Sequence, residues 1–400
     1  MTEYNPDRIV LMRRLEKKTQ TELSKDTKLS VAKISKIQNR IVPFKEEDAK
    51  RIADCVDYPL SFFAMKDTST PPTDLTYRRS SKTLIREINA VSAEYEIMTG
   101  TVRRIAEKIH LKSRLQWVDE IAPHKKEQLS IDEINRIALQ ARRHMGIPPT
   151  GPIPNVTRAL ERAGIAVMPM HSSGEDSAYS ATSEGVSDPT LDAPIPVIGY
   201  LGRDNTGDRL RFTKAHEFGH MILHKYRHPA TRQQMETEAH QFAGAFLMTE
   251  KDARNIFAPD SSMSIFAHAK AGWGMAISAL IMRASALGII DSQRSRSLQI
   301  QLSARGWKKH EPVAVDVESP LLFKQMIGQA YGTIISATEA RIDSITASEQ
   351  LGVPFRYLDL WADGLEEEGA QFGFYEKRLN RAKLVAESKP ETSETMPVVI

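Results

Sequence analysis

His216-Glu217-Phe218-Gly219-His220 sets two imidazoles four residues apart, with a carboxylate next to the first. On a helix, such positions lie one turn apart on the same face. Two imidazoles so placed can close on a single Zn2+, and Glu217 can reach a water activated by that ion. The chemistry this suggests is hydrolysis of a peptide bond. The surrounding run from Arg209 to His224 is expected to be helical. Its apolar residues Leu210, Phe212, Ala215, Phe218, Met221 and Ile222 recur close to a 3.6 period. Gly219 weakens such a helix but admits another backbone or a substrate. A buried helix that happens to carry two histidines would read the same way, so the motif calls for a third ligand.

A zinc peptidase of this type needs three protein ligands and one open position. Thr231-Arg-Gln-Gln234, just after Pro229, is a capping-box pattern that starts a second helix, Arg232 to Met248. Ala239, Phe242, Ala243, Phe246 and Leu247 form its buried side. Glu236 shares the face of Ala239, His240 and Ala243, whereas Glu238 is rotated away at about 100° per residue. His220 and Glu236 lie at similar distances from the turn and would face each other in an antiparallel pair. His216, His220 and Glu236 are therefore the expected zinc ligands, with Glu238 in reserve and Glu217 as the catalytic base. His240, one turn after Glu236, can orient a ligand. His224 lacks the spacing of a third histidine ligand and reads as a packed or helix-terminal residue. Tyr200 and His228 are candidates for stabilising an oxyanion.

The run from Arg211 to His220, with Glu236-Thr-Glu-Ala-His-Gln-Phe-Ala243 and Phe246-Leu-Met248, resembles the ImmA/IrrE family of metallopeptidases. The resemblance implies a gluzincin-like zinc site and favours Glu236 over Glu238. Two departures stand out. His240 replaces the usual Asn or Asp, and Thr249 stands where the family often has Pro. The resemblance also implies a substrate class, helix-turn-helix repressors or antitoxins, in mobile-element, stress or toxin-antitoxin settings.

The chain has 400 residues, and more than one domain is expected. Its 41% hydrophobic content suffices for a core. No apolar run approaches the roughly 18 residues that span a bilayer, and no secretory segment opens the chain. The lone Cys55 excludes an intrachain disulfide, which fits a reducing, cytoplasmic compartment. The net charge of +3 is unevenly spread. Between Arg8 and Lys45, eleven Lys/Arg face three acids, a balance of +8 that leaves −5 for the remainder.

That basic segment reads as a bundle of short helices over 7–64. Gln20 to Asp26 begins one helix, Thr27-Lys28-Leu29 is the turn, and Ser30 caps a second helix ending near Gln38. The spacing of Gln20, Leu23, Leu29, Ser30, Ile34 and Ser35 resembles the Cro/C1-type (XRE) helix-turn-helix, whose second helix enters the major groove of DNA. The resemblance makes Ser30, Val31, Ala32 and Lys33 the base-facing positions, although these offer few bidentate groups. Lys25, Lys28, Lys36 and Arg40 suit phosphate contacts. Lys28-Leu29 stands where the family usually has Gly-Val, so no glycine supplies a left-handed turn residue.

The expected fold is mostly α: a helix-turn-helix bundle over 1–65, then a linker and helical segment over 66–150. An α+β gluzincin-like peptidase domain with a small sheet follows over 151–290, a C-terminal helical region over 291–386 and a polar, disordered tail over 387–400. Further helices are expected near 84–111, 130–145, 155–163, 251–256, 264–271, 277–287, 321–334 and 344–362. Strands are expected at 165–170, 178–181 and 195–200. Tyr77-Arg78-Arg79 resembles the aromatic-Arg connection of helix-turn-helix peptidases. The expected partners are Zn2+, DNA through the first domain and a protein substrate, with no membrane. A homodimer is compatible with the sequence. Two alternatives have different outputs. One is a transcriptional regulator whose peptidase fold only senses or binds. The other is a first domain that imitates a repressor and pairs with it.

Overall fold

The computed structural model describes residues 3–66, 85–124, 128–171, 185–190, 193–201, 206–308, 310–336 and 338–362. The expected strand at 178–181, the Tyr77-Arg78-Arg79 connection and the tail lie outside the described residues. No single described helix is long and apolar enough to cross a membrane.

The molecule is mostly helical with one small three-stranded sheet. Four short helices come first: α1 (Asp7–Leu15), α2 (Gln20–Thr27), α3 (Val31–Gln38) and α4 (Glu46–Val56), closed by a 3-10 turn at Leu60–Ala64. Thr19 and Glu22 form a capping box that starts α2, and Ser30 caps α3 by accepting from the Lys33 N–H. Lys28 itself takes the left-handed conformation between them, with φ of 59°. The turn is therefore made without glycine, at a steric cost that a non-glycine residue carries there.

The long α5 (Ile85–Lys108) follows, then α6 (Val118–Ile121), α7 (Ile131–His144) and α8 (Val156–Arg162). The strands are β1 (Ala166–Met170), β2 (Gly185–Ser187) and β3 (Val197–Leu201), in the order β1-β3-β2. β1 runs parallel to β3, and β2 runs antiparallel to it with Gly185 opposite Tyr200. Next come α9 (Gly207–Leu223), α10 (Arg232–Leu247), α11 (Glu250–Ile256), α12 (Met263–Trp273), α13 (Ile277–Ala286) and α14 (Ser292–Ala304). The chain continues through α15 (Leu322–Tyr331), a β4–β5 hairpin (Gly332–Ile334 and Ala340–Ile342), α16 (Ser344–Leu351) and α17 (Phe355–Trp361). The expected helix at 344–362 is thus split. Gly352, at a φ of 60°, ends α16, and Pro354 opens α17. The expected helix at 321–334 gives its last residues to β4.

The sheet is buried on both faces and separates two hydrophobic cores. Ala166, Met168, Met170, Val186 and Val197 face a core shared by α1–α4, α5 and α15–α17. Val167, Ile198 and Tyr200 face the core of α6–α14. Alternation along each strand sends successive side chains to opposite sides. These cores cut across the boundaries expected from the sequence. The stretch from Leu115 to Ile165 belongs with α9 and α10, while the last helices join the N-terminal bundle.

Candidate metal centre

α9 and α10 pack antiparallel, with Phe218 against Phe246 at one end and His224 against Glu238 at the other. Thr231 and Gln234 form the capping box at the start of α10. Gly219 lies at the closest approach, where a Cβ would stand 2.9 Å from the Phe242 ring. The amino end of α9 is held by a buried ion pair, Lys270 Nζ to Asp208 at 2.6 Å and to Glu311 at 2.8 Å.

This packing brings together the three side chains singled out in the sequence. His216 Nε2 and His220 Nε2 are 3.1 Å apart. Glu236 approaches them with one oxygen 3.4 Å from His216 Nε2 and the other 4.0 Å from His220 Nε2. Donor atoms around a tetrahedral zinc, with bonds of about 2.0–2.1 Å, stand about 3.3 Å apart. The two contacts of His216 match that spacing, the His220–Glu236 separation is wider, and two imidazoles with one carboxylate are a donor set suited to zinc. Burial, and then the neighbouring imidazoles, hold His220 well below the usual histidine pKa. That keeps the ring neutral, as a ligand must be.

His240 sits beside them, its ring edge-on to His216 with centroids 4.5 Å apart. Its Nδ1 donates to the Glu236 main-chain carbonyl at 3.1 Å, which leaves the lone pair on Nε2 of the neutral ring. His216, Glu236 and His240 also offer donor atoms all within 4.8 Å of one another. Here a third imidazole borders the site, where the family resemblance leads one to expect an amide or a carboxylate.

Glu217 is 2% exposed and faces β2. Ser187 donates to its Oε2 at 2.7 Å. A Cβ at Gly185 would lie 2.7 Å from Glu217 Oε1 and 2.8 Å from Thr213, so only glycine fits there without displacing the carboxylate. Neither Gly185 nor Ser187 was legible in the sequence. Three residues are too few to show a strand's alternation, and only the central Val186 hints at one.

Glu238 is not near the two Nε2 atoms. Its carboxylate is fully buried and accepts from Arg227 Nη1, Arg227 Nη2 at 3.1 Å and the Leu129 N–H at 3.0 Å. His224 Nε2 lies 3.2 Å from it, and His224 Nδ1 lies 2.9 Å from His220 Nδ1. Burial alone would raise the Glu238 pKa. The hydrogen bonds from His224, Arg227 and Leu129 outweigh it and hold the group at about 2. His224 does stand at the end of α9, as the sequence suggests, but its ring is also built into this buried row. Neither oxyanion candidate lines the cleft. Tyr200 is buried under the Lys214 ammonium, and His228 is exposed.

The cleft over the site measures about 640 Å³. His216, Glu217, Glu236 and His240 line it on one side, and Ala276, just before α13, lines an apolar wall with Ala279 and Met282 of α13. On α3, Val31, Ala32, Lys33 and Lys36 are exposed, as is Ser30 at its start. Lys33 is not simply solvated, because its ammonium pairs with the buried Asp48. Arg40 pairs with Asp7.

Two antiparallel helices carrying HExxH and a facing glutamate, beside a short strand, form an arrangement compatible with a metallopeptidase domain. Residues 160–284 match the Peptidase_M78 family, described as the IrrE N-terminal-like domain. The matched segment contains the whole three-stranded sheet, α9, α10 and most of α13, and it stops short of the N-terminal helices. Comparison with curated proteins finds no match to the chain.

Proposed function

We propose that this chain is a zinc-dependent endopeptidase with an N-terminal DNA-binding module, and that it cleaves a helix-turn-helix repressor or an antitoxin in the cytoplasm. The observation that carries the hydrolase reading is the approach of the Glu236 carboxylate to both imidazoles of the HExxH helix. His216, His220 and Glu236 would hold the ion. Zinc supplies a Lewis acid that polarises a carbonyl and acidifies water. Glu217 then takes the proton of the attacking water and returns it to the leaving amine. Ser187 aims the Glu217 carboxylate, and Gly185 makes room for it.

The substrate class and the DNA role rest on the resemblance to ImmA/IrrE proteins and to Cro/C1-type domains. The concentrated positive charge of residues 8–45 supports the second. Ser30, Val31, Ala32 and Lys33 would face the bases, with Lys36 on phosphate.

Metal analysis of purified protein tests the site. One zinc per chain is expected, lost in both His216→Ala and Glu236→Ala. Glu217→Gln is expected to keep the zinc and to abolish cleavage of a co-expressed repressor. Undiminished cleavage by Glu217→Gln removes that residue from the mechanism. Zinc retained by both ligand variants removes the proposed centre and leaves a gene regulator with a non-catalytic peptidase fold.

A further inference from the structure

The buried row behind His220 has no role in the hydrolytic chemistry, yet its hydrogen-bonding sense is fully determined. Glu238 accepts two bonds from Arg227 and one from the Leu129 N–H, so its carboxylate acts only as an acceptor. His224 Nε2, 3.2 Å from the remaining acceptor site, must then carry a proton. A neutral imidazole that donates from Nε2 accepts at Nδ1. His224 Nδ1 therefore accepts from His220 Nδ1 across 2.9 Å. His220 is left with its proton on Nδ1 and its lone pair on Nε2, the atom that faces His216 Nε2 and Glu236. All four groups, Arg227, Glu238, His224 and His220, are at most 2% exposed, so water does not compete. His216 lacks such a partner, since its Nδ1 is buried and makes no hydrogen bond among the described residues.

We propose that Arg227, Glu238 and His224 form a positioning relay that locks His220 in the Nδ1–H tautomer and makes it the pre-set anchor of the metal site. This rests on the reading of His220 as a zinc ligand. Outer-shell partners of ligating histidines typically contribute 10–100-fold in metal affinity. The relay reaches that shell through a second histidine instead of a direct carboxylate contact.

The full-length protein, labelled with 15N-histidine and freed of metal, tests the tautomer by long-range 1H–15N correlation, with His220→Ala assigning the signals. Wild-type His220 is expected as Nδ1–H. In His224→Phe, which removes the acceptor, that preference is expected to be lost, and chelator competition should show zinc binding about 10–100-fold weaker. His224→Asn keeps a carbonyl acceptor at the place of the His224 Nδ1 and is expected to restore both. Wild-type His220 found as Nε2–H overturns the relay. So does His224→Phe binding zinc as tightly as wild type while His216→Ala has lost it. A wild-type protein that binds no zinc sinks the underlying reading, and the anchor role falls with it. The spectrum of the metal-free protein separates that failure from a wrong tautomer.

Discussion

Ser187 helps to set the direction of Glu217. The Ser187 hydroxyl bonds Oε2 at 2.7 Å, and the carboxylate is otherwise walled in by Gly185 and Thr213. A hydrogen bond to a charged group is worth about 1.5–3 kcal/mol. In the proposed peptidase, Ser187→Ala is therefore expected to lower kcat by roughly ten- to a hundredfold while the zinc content stays at one per chain. Zinc lost together with activity would place Ser187 in the scaffold of the site instead. His240 poses the other residue-scale question, because it shares a possible donor set with His216 and Glu236. With His216, His220 and Glu236 as ligands, His240→Ala should bind zinc within a few-fold of wild type, and His220→Ala should not bind it. The reverse order in a chelator titration would put His240 in the coordination sphere and His220 outside it.

At the scale of elements, the helix pair was the most legible part of the chain. The 3.6 periodicity of α9, the capping box of α10 and their similar distances from the turn place Glu236 opposite the imidazoles. The edge strand was not legible. β2 is three residues long, and its position against Glu217 follows from its pairing with β3, a contact no local pattern encodes. The buried row was half legible. His224 could be seen at the end of α9, but its partners Glu238 and Arg227 meet it only through the turn between the helices. Lys28 marks a further limit, because its left-handed φ is imposed by the packing of α2 on α3 against a residue type that disfavours it. The same view of β2 gives a test. Gly185→Ala puts a methyl group within 2.7 Å of the Glu217 side chain. Cleavage should fall at least as far as in Ser187→Ala, with unfolding temperature and zinc content little changed. An active Gly185→Ala enzyme would mean that β2 does not confine the carboxylate.

The whole molecule is organised by its sheet. The N-terminal helical bundle packs on one side, together with α5 and α15–α17, and α9 and α10 pack on the other. The bundle is therefore not held by the linker alone. Arg14 pairs with Glu96 of α5, and Lys17 pairs with Glu87 at 2.5 Å. Arg356 of α17 reaches back to Glu16 and to the Val56 carbonyl, with its guanidinium near the rings of Tyr58 and Tyr357. α3, by contrast, leaves Val31, Ala32 and Lys36 exposed. The packed side would hold the module, and the open side would be left for DNA. Fragment 1–66 would expose to water the surfaces that α5, α16 and α17 cover, and small domains are already marginal in buried area. It should unfold at a lower temperature than the whole chain, and Arg356→Ala should shift the full-length protein in the same direction. DNA binding is expected from the full chain, with log K falling linearly in log salt. The slope should shrink by about 0.9 when Lys36→Ala removes one phosphate contact. In Lys33→Ala the change should be smaller, because Asp48 already holds that ammonium. A fragment 1–66 that matches the intact protein in both unfolding temperature and DNA affinity would show that the shared core contributes nothing to the module, and that the two activities are merely tethered.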